Sequence, residues 1–369
     1  MMLKKYPIVK WTLLVLTSLI ILLVGFGWWF MNLIPKRTPG ITTTQVTDLA
    51  YVSEDIQSYK GKILIIVTST GTMGNSGKNT GYELTELSRA YYVFEANGFK
   101  VDIASPKGGE PPVVIDDEDM GSYDFAFLND NKAQRKVKNS IPVSKINSND
   151  YEAVFFTGGK GAMFDFPKNK DIQRIIKNLY ESNKVIGAVC HGPAALVNVT
   201  LSDNSLLVKG KNISGFTNKE ELLLISDAET IFPFLLQEKL VENGAKFDEG
   251  YLYLEQVSHD ENLITGQNPW STWLVAETVV EQLGCTPKYR EKTPEENAVK
   301  ILNTFNREGK QEAKKMIDEI CIVQNKPVAR ILIAKHSIMA IMQGNFGDFY
   351  NLLALTSYAK KKDDQIRRN

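Results

Sequence analysis

Hydrophobic and polar positions in the middle of the chain repeat alternately with the periods of strands and helices. Compact runs rich in β-branched residues predict strands at residues 62–69, 100–105, 153–157 and 185–189. Between them, helical spacing of apolar residues predicts helices at 84–97 and 171–182, and a further helix is expected to begin at Pro193. Strands that alternate with helices indicate the α/β class, in which helices cover both faces of a parallel sheet.

The rest of this region predicts additions to the sheet. We expect a β-hairpin at 206–214, a long helical stretch at 220–244 broken at Pro233, two strands at 251–265 and a closing helix at 270–283. The stretch from 105 to 151 has little periodicity. An insertion of that length is either a lid or wall over a site or a solvated excursion, and the sequence leaves both open.

The N-terminal end carries 24 consecutive residues without a charge, 11–34. As a helix this run would reach roughly 36 Å, which exceeds the ~30 Å hydrocarbon layer of a bilayer. A cleaved signal peptide is the alternative, but its apolar core spans only about 7–15 residues, and no small-residue cleavage site follows here. We therefore predict a single membrane-spanning anchor. A slight excess of basic residues before the run favours a soluble body on the non-cytoplasmic side.

Composition changes at both borders of the central region. Residues 35–60 have no sustained apolar period and are interpreted as a linker. After Gly284, Thr286-Pro287 and Thr293-Pro294 interrupt the helical pattern, and several amphipathic runs follow. The predicted organisation is an anchor at 1–34, a linker at 35–60, an α/β domain at 61–284 and a helical C-terminal extension at 285–369.

The 369 residues include 43 basic and 43 acidic ones, so the formal net charge is zero. A neutral chain gives no electrostatic reason to expect binding to nucleic acid. The charge is unevenly distributed, however: residues 1–40 carry +5, residues 41–284 carry −11 and residues 285–369 carry +6. The basic tail is either a solvated helical face or a surface that docks on anionic lipid or on the acidic body.

One of the three cysteines lies in a setting that favours chemistry. The stretch 185–199, VIGAVCHGPAALVNV, places Cys190 between a buried strand and the helix predicted to begin at Pro193. A thiol at this turn lies at the carboxyl edge of the sheet and at the positive end of a helix, and we expect both to favour the nucleophilic thiolate. A buried cysteine often only packs, yet the strand–turn–helix setting favours a nucleophile. Cys285 and Cys321 lack this setting and are interpreted as structural.

His191 is the candidate general base, because it follows Cys190 directly and only three histidines are present. The alternative is a histidine that merely hydrogen-bonds to the backbone. His259 and His336 are interpreted as residues of the surface and the tail. No spacing of cysteines and histidines resembles a metal site, so no metal is predicted.

Two glycine-rich stretches follow predicted strands. Gly158, Gly159 and Lys160 come after the strand at 153–157, where glycine N–H groups can point at an oxyanion. A turn that needs positive φ explains these glycines equally well. The stretch 70–81 lacks the spacing of nucleotide-binding loops, so no nucleotide site is predicted.

Several stretches together resemble the ThiJ/PfpI superfamily, within the class I glutamine amidotransferase-like fold. They are, in chain order, TGYELTELSRAYYVFEANGFKVDIASPKGGEPP, YEAVFFTGGKGAMFDFP, VIGAVCHGPAALVNV, GKNISGFTNKEE, FPFLLQEKL and LITGQNP. The chain is most similar to the branch of heat-shock chaperone-like proteins and glutathione-independent glyoxalases (glyoxalase III, D-lactate dehydratase). The resemblance covers residues 62–284 and implies a flavodoxin-like parallel sheet sandwiched by helices. The anchor and the tail lie outside it.

The resemblance also implies site residues. The family combines an elbow cysteine, the histidine next to it and a glutamate at the start of the first helix, which correspond to Cys190, His191 and Glu86. Lys160 occupies the position where the family commonly has the histidine of Gly-Gly-His-Gly, so an altered specificity or rate, or the binding of a carboxylate product, is expected. Glu220 is the candidate that orients His191, and Asn218 is the alternative. No cofactor, metal or glutathione is implied.

The implied activity converts a 2-oxoaldehyde such as methylglyoxal into a 2-hydroxy acid. The Cys190 thiolate would add to the aldehyde, backbone N–H groups near Gly159 and His191 would hold the oxyanion, and Glu86 and His191 would move protons through an enediol. Two alternatives remain open: a non-enzymatic stress-binding module of chaperone-like character, and a cysteine amidase or peptidase of the same superfamily. A homodimer is also left open.

Overall fold

The computed structural model describes residues 7–34 and 38–366. They form two compact units. One is Thr38–Glu291, and the other combines the N-terminal helix with the chain from Lys292 onward.

A seven-stranded sheet forms the centre of the first unit, counted over the described residues. The strands of the chain are β1 (Gly61–Ile66), β2 (Tyr82–Glu83), β3 (Phe99–Ser105), β4 (Val113–Val114), β5 (Ile141–Pro142), β6 (Ala153–Phe156), β7 (Val185–Val189), β8 (Asn212–Ile213), β9 (Lys246–Phe247), β10 (Val257–Asp260) and β11 (Leu263–Gly266). In the sheet their order is β10, β11, β7, β6, β1, β3 and β5. Only the β10–β11 pair is antiparallel within this sheet of described residues. The predicted α/β class with a mostly parallel sheet is confirmed.

Burial on both faces explains why the central strands read as continuous apolar runs. Every residue of β6 and β7 is buried, and so are the last four residues of β1. Such strands need helices on either side of the sheet. The carboxyl ends of β6 and β7 therefore meet near the middle of one sheet edge, where α/β proteins bind ligands.

The helices of the first unit lie close to their predicted places. They are α2 (Ala50–Ser53), α3 (Leu84–Ala96), α4 (Ser122–Asn129), α5 (Asn131–Lys138), α6 (Ala162–Asp165), α7 (Lys170–Glu181), α8 (Asn218–Leu224), α9 (Ala228–Ile231), α10 (Leu236–Glu242) and α11 (Thr272–Gln282). The predicted single helical stretch at 220–244 is thus three short helices. The stretch predicted as a hairpin at 206–214 contributes only β8, which pairs in parallel with β9.

The helix predicted to begin at Pro193 is wrong. Gly192–Ala195 forms a single 3₁₀ turn of four residues, and no α-helix follows it before α8 in the described chain. Space explains the difference, because Gly192 is pressed against the end of β6. A Cβ on Gly192 would lie 2.3 Å from the carbonyl oxygen of Phe156.

The predicted linker is also wrong for residues 38–60, while residues 35–37 lie outside the described residues. Leu49 and Tyr51 are buried, and Tyr51 Oη accepts a hydrogen bond of 3.2 Å from Asn97 Nδ2 at the end of α3. Beyond the predicted border at 284, Arg290 forms a 3.0 Å ion pair with Glu277. Both segments therefore belong to the α/β unit.

The insertion at 105–151 is a packed wall, since it contains β4, α4, α5 and β5. Its first part pairs β4 with β2, directly before α3. Its second part is held to α3 by Asp124, which accepts from Ser88 and forms a 3.3 Å ion pair with Arg89. The reading as a solvated excursion does not hold.

The second unit contains α1 (Pro7–Leu33) and α12 (Pro294–Glu308), α13 (Lys310–Asp318), α14 (Arg330–Met342) and α15 (Phe346–Ile366). In α1, Lys10–Leu33 is long and apolar enough to cross a membrane, although a signal sequence meets the same criteria. The basic residues at positions 4, 5, 36 and 37, on which the predicted orientation depends, lie outside the described residues. The last helix has 21 residues and is longer than the short helix expected from the sequence.

Candidate active site

Cys190 occupies a strained turn at the end of β7. Its φ is 60°, a left-handed conformation that costs free energy for a residue other than glycine. Two backbone hydrogen bonds hold it there: Cys190 N donates to Gly266 O at 2.9 Å, and Phe216 N donates to Cys190 O at 2.9 Å. The sharp turn places the thiol at the carboxyl edge of the sheet, as a nucleophile elbow does.

Gly158 allows the loop after β6 to lie directly against this elbow. A Cβ on Gly158 would lie 2.7 Å from His191 N and 2.8 Å from Cys190 Cβ. Gly159 has a φ of 92° and lies just as closely against Gly81 O. Both glycines are therefore required by close approach, and Gly159 also by its positive φ.

His191 links the thiol to a carboxylate. Its Nδ1 lies 3.3 Å from Cys190 Sγ, and its Nε2 lies 2.5 Å from Oε2 of Glu221. The ring is buried and packs on Phe216, with 4.5 Å between the ring centroids. Since a carboxylate accepts, Nε2 carries the proton and the lone pair of Nδ1 faces the thiol. Burial opposes ionisation of Glu221, but the His191 ring holds the pKa of Glu221 below its usual range.

The partner of His191 is Glu221, so the prediction of Glu220 is wrong. Glu220 is the third residue of α8, and its Oε2 accepts from the N–H of Thr217 at 3.0 Å in a capping box. Its Oε1 accepts from Asn268 and from the N–H of Tyr253. The carboxylate thus turns back to the start of the helix, and the next residue faces His191.

The alternative orienter, Asn218, points away as well, because its side chain donates to Glu238 at 3.1 Å. The Thr-x-x-Glu spacing of Thr217 and Glu220 is a capping-box signal, and it could have identified Glu220 as a structural residue.

Glu86 lies on the other side of the thiol, in the first turn of α3. Its Oε2 accepts a 2.5 Å hydrogen bond from Gly158 N, and the carboxyl group interacts with the Cys190 thiol. Oε1 has no hydrogen-bond partner among the described residues. Burial, followed by the charge of Glu83, raises the pKa of Glu86 well above its usual range. A neutral Glu86 therefore has an O–H at Oε1 that can donate to sulfur.

The prediction that the turn itself makes Cys190 a thiolate is wrong. Burial raises the pKa of the Cys190 thiol, a charged Glu86 would raise it further, and Lys160 acts in the opposite direction. The four-residue 3₁₀ turn after the cysteine supplies little of the dipole expected from a long helix. The thiolate then forms by proton transfer from Cys190 to His191, and the O–H of Glu86 stabilises it by a hydrogen bond.

The N–H groups around the thiol differ in what they can bind. Gly158 N already donates to Glu86. In residues 7–34 and 38–366, the N–H groups of Gly159 and His191 donate to no protein acceptor. These two donors are the ones expected from the sequence to face an oxyanion.

Besides Glu221, sequence reasoning missed three side chains at the site: Phe216, Phe232 and Glu83. Phe216 and Phe232 lie beside the His191 ring, with centroids 4.5 and 6.3 Å away. Glu83 is half-buried at the start of α3, and Lys160 is half-buried after Gly159. Nothing in the local pattern marks the two phenylalanines as site residues, since apolar residues are common throughout this region. His259 is exposed and does not take part in this site, since its Nε2 hydrogen-bonds to Glu261 O.

Comparison with known proteins gives a family and several relatives. Residues 78–282 match the DJ-1/PfpI family. Glyoxalase 3 of Candida albicans is 31% identical over 241 residues, which are 61% of this chain and 99% of that protein. Glutathione-independent glyoxalase HSP31 of Saccharomyces cerevisiae is 32% identical over 238 residues, 60% of this chain and 98% of that protein.

A solved structure has the same fold. The crystal structure of Rapid Encystment Protein 24 kDa from Francisella tularensis is 36% identical, with a TM-score of 0.58 over 61% of this chain and 99% of that one. The relatives named as glyoxalases support the expectation that the protein is an enzyme.

Proposed function

Because the chain belongs to the DJ-1/PfpI family, we propose that it is a glutathione-independent glyoxalase, which converts 2-oxoaldehydes such as methylglyoxal into 2-hydroxy acids. One observation carries the proposal: the Cys190 thiol lies between the carboxylic acid of Glu86 and the imidazole of His191, which Glu221 holds from behind. The names of relatives at about 30% identity support the same reaction class.

The first step is addition of sulfur to the aldehyde carbon. Nδ1 of His191 takes the thiol proton, and the ionised Glu221 stabilises the resulting imidazolium. The N–H groups of Gly159 and His191 donate to the oxygen of the aldehyde as it becomes negative. The imidazolium then returns the proton to this oxygen, which gives a hemithioacetal.

Two pairs of proton transfers then oxidise the former aldehyde carbon and reduce the neighbouring ketone carbon. His191 removes the proton from the former aldehyde carbon, and Glu86 gives its proton to the ketone oxygen, which forms an enediol. His191 delivers its proton to the second carbon, and Glu86 recovers a proton from the first hydroxyl group. The aldehyde carbon is oxidised by two electrons and the ketone carbon is reduced by two. Water hydrolyses the resulting thioester, so no external oxidant is needed.

A cysteine amidase or peptidase is the second candidate, because a Cys–His–Glu arrangement is also that of hydrolases. The exposed fraction of Cys190 is only 4%. A thiol buried to this extent favours a small aldehyde over an amide within a polypeptide. Parallel assays with methylglyoxal and with peptide amides separate the two candidates.

The proposed function is tested on the full chain in detergent. Turnover of methylglyoxal without glutathione is compared for the wild type, Cys190→Ala and the matched control Cys285→Ala. We expect the first variant to lose turnover and the control to keep it. Equal turnover in Cys190→Ala would rule out the thiol mechanism.

For the location of the enzyme, the length and composition of α1 support a membrane anchor. The slight excess of basic residues before the apolar run favours an α/β unit on the non-cytoplasmic side. Protease added to intact cells should degrade the α/β unit. Protection of that unit would reverse the orientation, and a mature chain that begins after residue 34 would identify a cleaved signal sequence.

A further inference from the structure

Lys160 is held at the edge of the Cys190 pocket by the two glycines before it. Gly158 lies against the backbone of Cys190 and His191, and Gly159 lies against Gly81 and Glu83. In addition, Glu83 N donates to Gly158 O at 3.3 Å. The backbone leading to Lys160 is therefore fixed between the elbow and the start of α3.

The charge of Lys160 acts on acidic groups of the site, but its ammonium group pairs with none of them among the described residues. In the described part of the chain, Nζ forms no hydrogen bond or ion pair. Its charge nevertheless acts on Glu83, on Cys190 and on Glu221, which lie on three different segments around the pocket. A half-buried cation in this position is only partly solvated, so binding of an anion would stabilise it.

None of the neighbouring carboxyl groups supplies that partner at neutral pH. Glu221 is engaged with His191 at 2.5 Å, and burial keeps Glu86 neutral. Burial also raises the pKa of Glu83 to about 8, against the opposing effect of Lys160. The site thus combines the Phe216 and Phe232 rings beside His191 with a lysine whose ammonium group forms no direct ion pair among the described residues.

We infer that Lys160 binds a carboxylate at the far end of the substrate, so that the preferred substrates are 2-oxoaldehydes that carry a carboxylate beyond the ketone. This inference rests on the proposed glyoxalase function. A carboxylate fits better than a phosphate monoester, because a single lysine supplies one positive charge and the ionised Glu221 nearby repels the second negative charge of a phosphate.

A suitable probe is 4,5-dioxopentanoate, whose methyl ester has the same reacting carbons and no charge. The reaction consumes one water: the aldehyde carbon becomes a carboxylate and the ketone carbon becomes a secondary alcohol, which gives 2-hydroxypentanedioate. As with methylglyoxal, oxidation of one carbon balances reduction of its neighbour.

The test compares the full-length wild type, Lys160→Met and Lys160→Arg with three substrates: 4,5-dioxopentanoate, its methyl ester and methylglyoxal. In the wild type, KM for the acid should be about tenfold or more below KM for the ester, because a charged hydrogen bond is gained. Lys160→Met should abolish this preference, because the acid loses the charged hydrogen bond, whereas the ester and methylglyoxal lose only the smaller effect of Lys160 on the Cys190 thiol. Lys160→Arg should retain the preference. An unchanged preference in Lys160→Met, or an equal loss with all three substrates, would overturn the inference.

A second readout does not depend on turnover. We expect 2-hydroxypentanedioate to protect Cys190 from iodoacetamide in the wild type but not in Lys160→Met. If methylglyoxal is not consumed at all, the proposed function fails, and this protection assay still decides whether Lys160 binds a carboxylate. Equal protection of both proteins, or protection of neither, would overturn the inference.

Discussion

The contact between His191 and Glu221 leads to the sharpest prediction, because two adjacent glutamates on one helix have opposite roles. The substitution Glu221→Gln keeps the size of the side chain and can still accept from Nε2 of His191, but it removes the negative charge. Glu220→Gln is the matched control, since it makes the same chemical change one residue earlier, where the carboxylate caps α8.

The magnitude follows from the geometry of the pair. The two atoms are 2.5 Å apart and both side chains are buried, so solvent screens the interaction little. A hydrogen bond to a charged group contributes about 1.5–3 kcal/mol, and this contribution grows when the imidazolium forms in the reaction. Loss of about 3 kcal/mol lowers kcat by roughly 150-fold. For Glu220→Gln we expect a decrease in the free energy of unfolding of about 2–4 kcal/mol, because the amide NH2 would face either the N–H of Thr217 or the donors of Tyr253 and Asn268, with a much smaller loss of kcat than in Glu221→Gln.

The assay measures initial rates of methylglyoxal consumption over pH, together with urea unfolding of each variant. The basis for the pH series is that the pKa of Glu221 lies below its usual range, so the wild type keeps a charged Glu221 behind His191 until the solution is acidic. If Glu221→Gln has the kcat of the wild type, or if Glu220→Gln loses as much activity as Glu221→Gln, the assignment of Glu221 as the positioning residue is refuted.

Three further predictions concern the neighbours of the thiol. Glu86→Gln can still hydrogen-bond to Gly158 and to sulfur but cannot release a proton, so kcat/KM should fall roughly 10²–10⁴-fold; a smaller loss than tenfold would exclude Glu86 from proton transfer. Gly158→Ala should lower both kcat and the free energy of unfolding, the latter by about 1–3 kcal/mol, because its Cβ would lie 2.7 Å from His191 N. Gly210→Ala, whose Cβ meets nothing within 4 Å, should keep full activity, and equal effects of the two variants would contradict the packing argument. Finally, KM for 4,5-dioxopentanoate should rise about tenfold between pH 7 and 9, as Glu83 ionises and neutralises Lys160; Glu83→Gln should make KM independent of pH over this range, and an unchanged rise would refute this account.

The predicted rise of KM with pH depends on all the charged groups around Glu83. Besides Lys160, the groups that interact electrostatically with Glu83 are Glu86 and Arg89 on α3, and Asp116 and Asp119 on the insertion. Burial and the two aspartates raise the pKa of Glu83, whereas Lys160 and Arg89 lower it. Glu83 in turn raises the pKa of Glu86. Titration above neutral pH removes a neutral acid and adds an anion beside Lys160, so the affinity for an anionic substrate decreases as pH rises.

Local sequence was sufficient for the parts of the site that local structure determines. Cys190 and His191 follow a buried strand directly, and the order of strands and helices placed that strand in a parallel sheet. The choice between Glu220 and Glu221 required the first residue of α8, which a capping box sets and which the apolar period does not reveal.

Features that depend on tertiary burial were not accessible from the pattern. The protonation of Cys190 depends on its burial beside Glu86, on a segment about one hundred residues earlier in the chain. The linker prediction failed because residues 38–60 have no period, although Leu49 and Tyr51 find an apolar surface on the α/β unit. A few apolar anchors suffice to fold such a segment onto a domain, and periodicity does not detect them.

The proposed mechanism requires the Cys190 thiol as the nucleophile in the isomerisation of a 2-oxoaldehyde. It is tested most directly by following lactate formation from methylglyoxal with NMR, in buffer free of glutathione, for the full chain and its Cys190→Ala variant. The account predicts that the wild type converts methylglyoxal into lactate one for one and that Cys190→Ala forms none above the uncatalysed rate. Lactate formation by Cys190→Ala at the wild-type rate, or loss of methylglyoxal in the wild type without lactate, would contradict it.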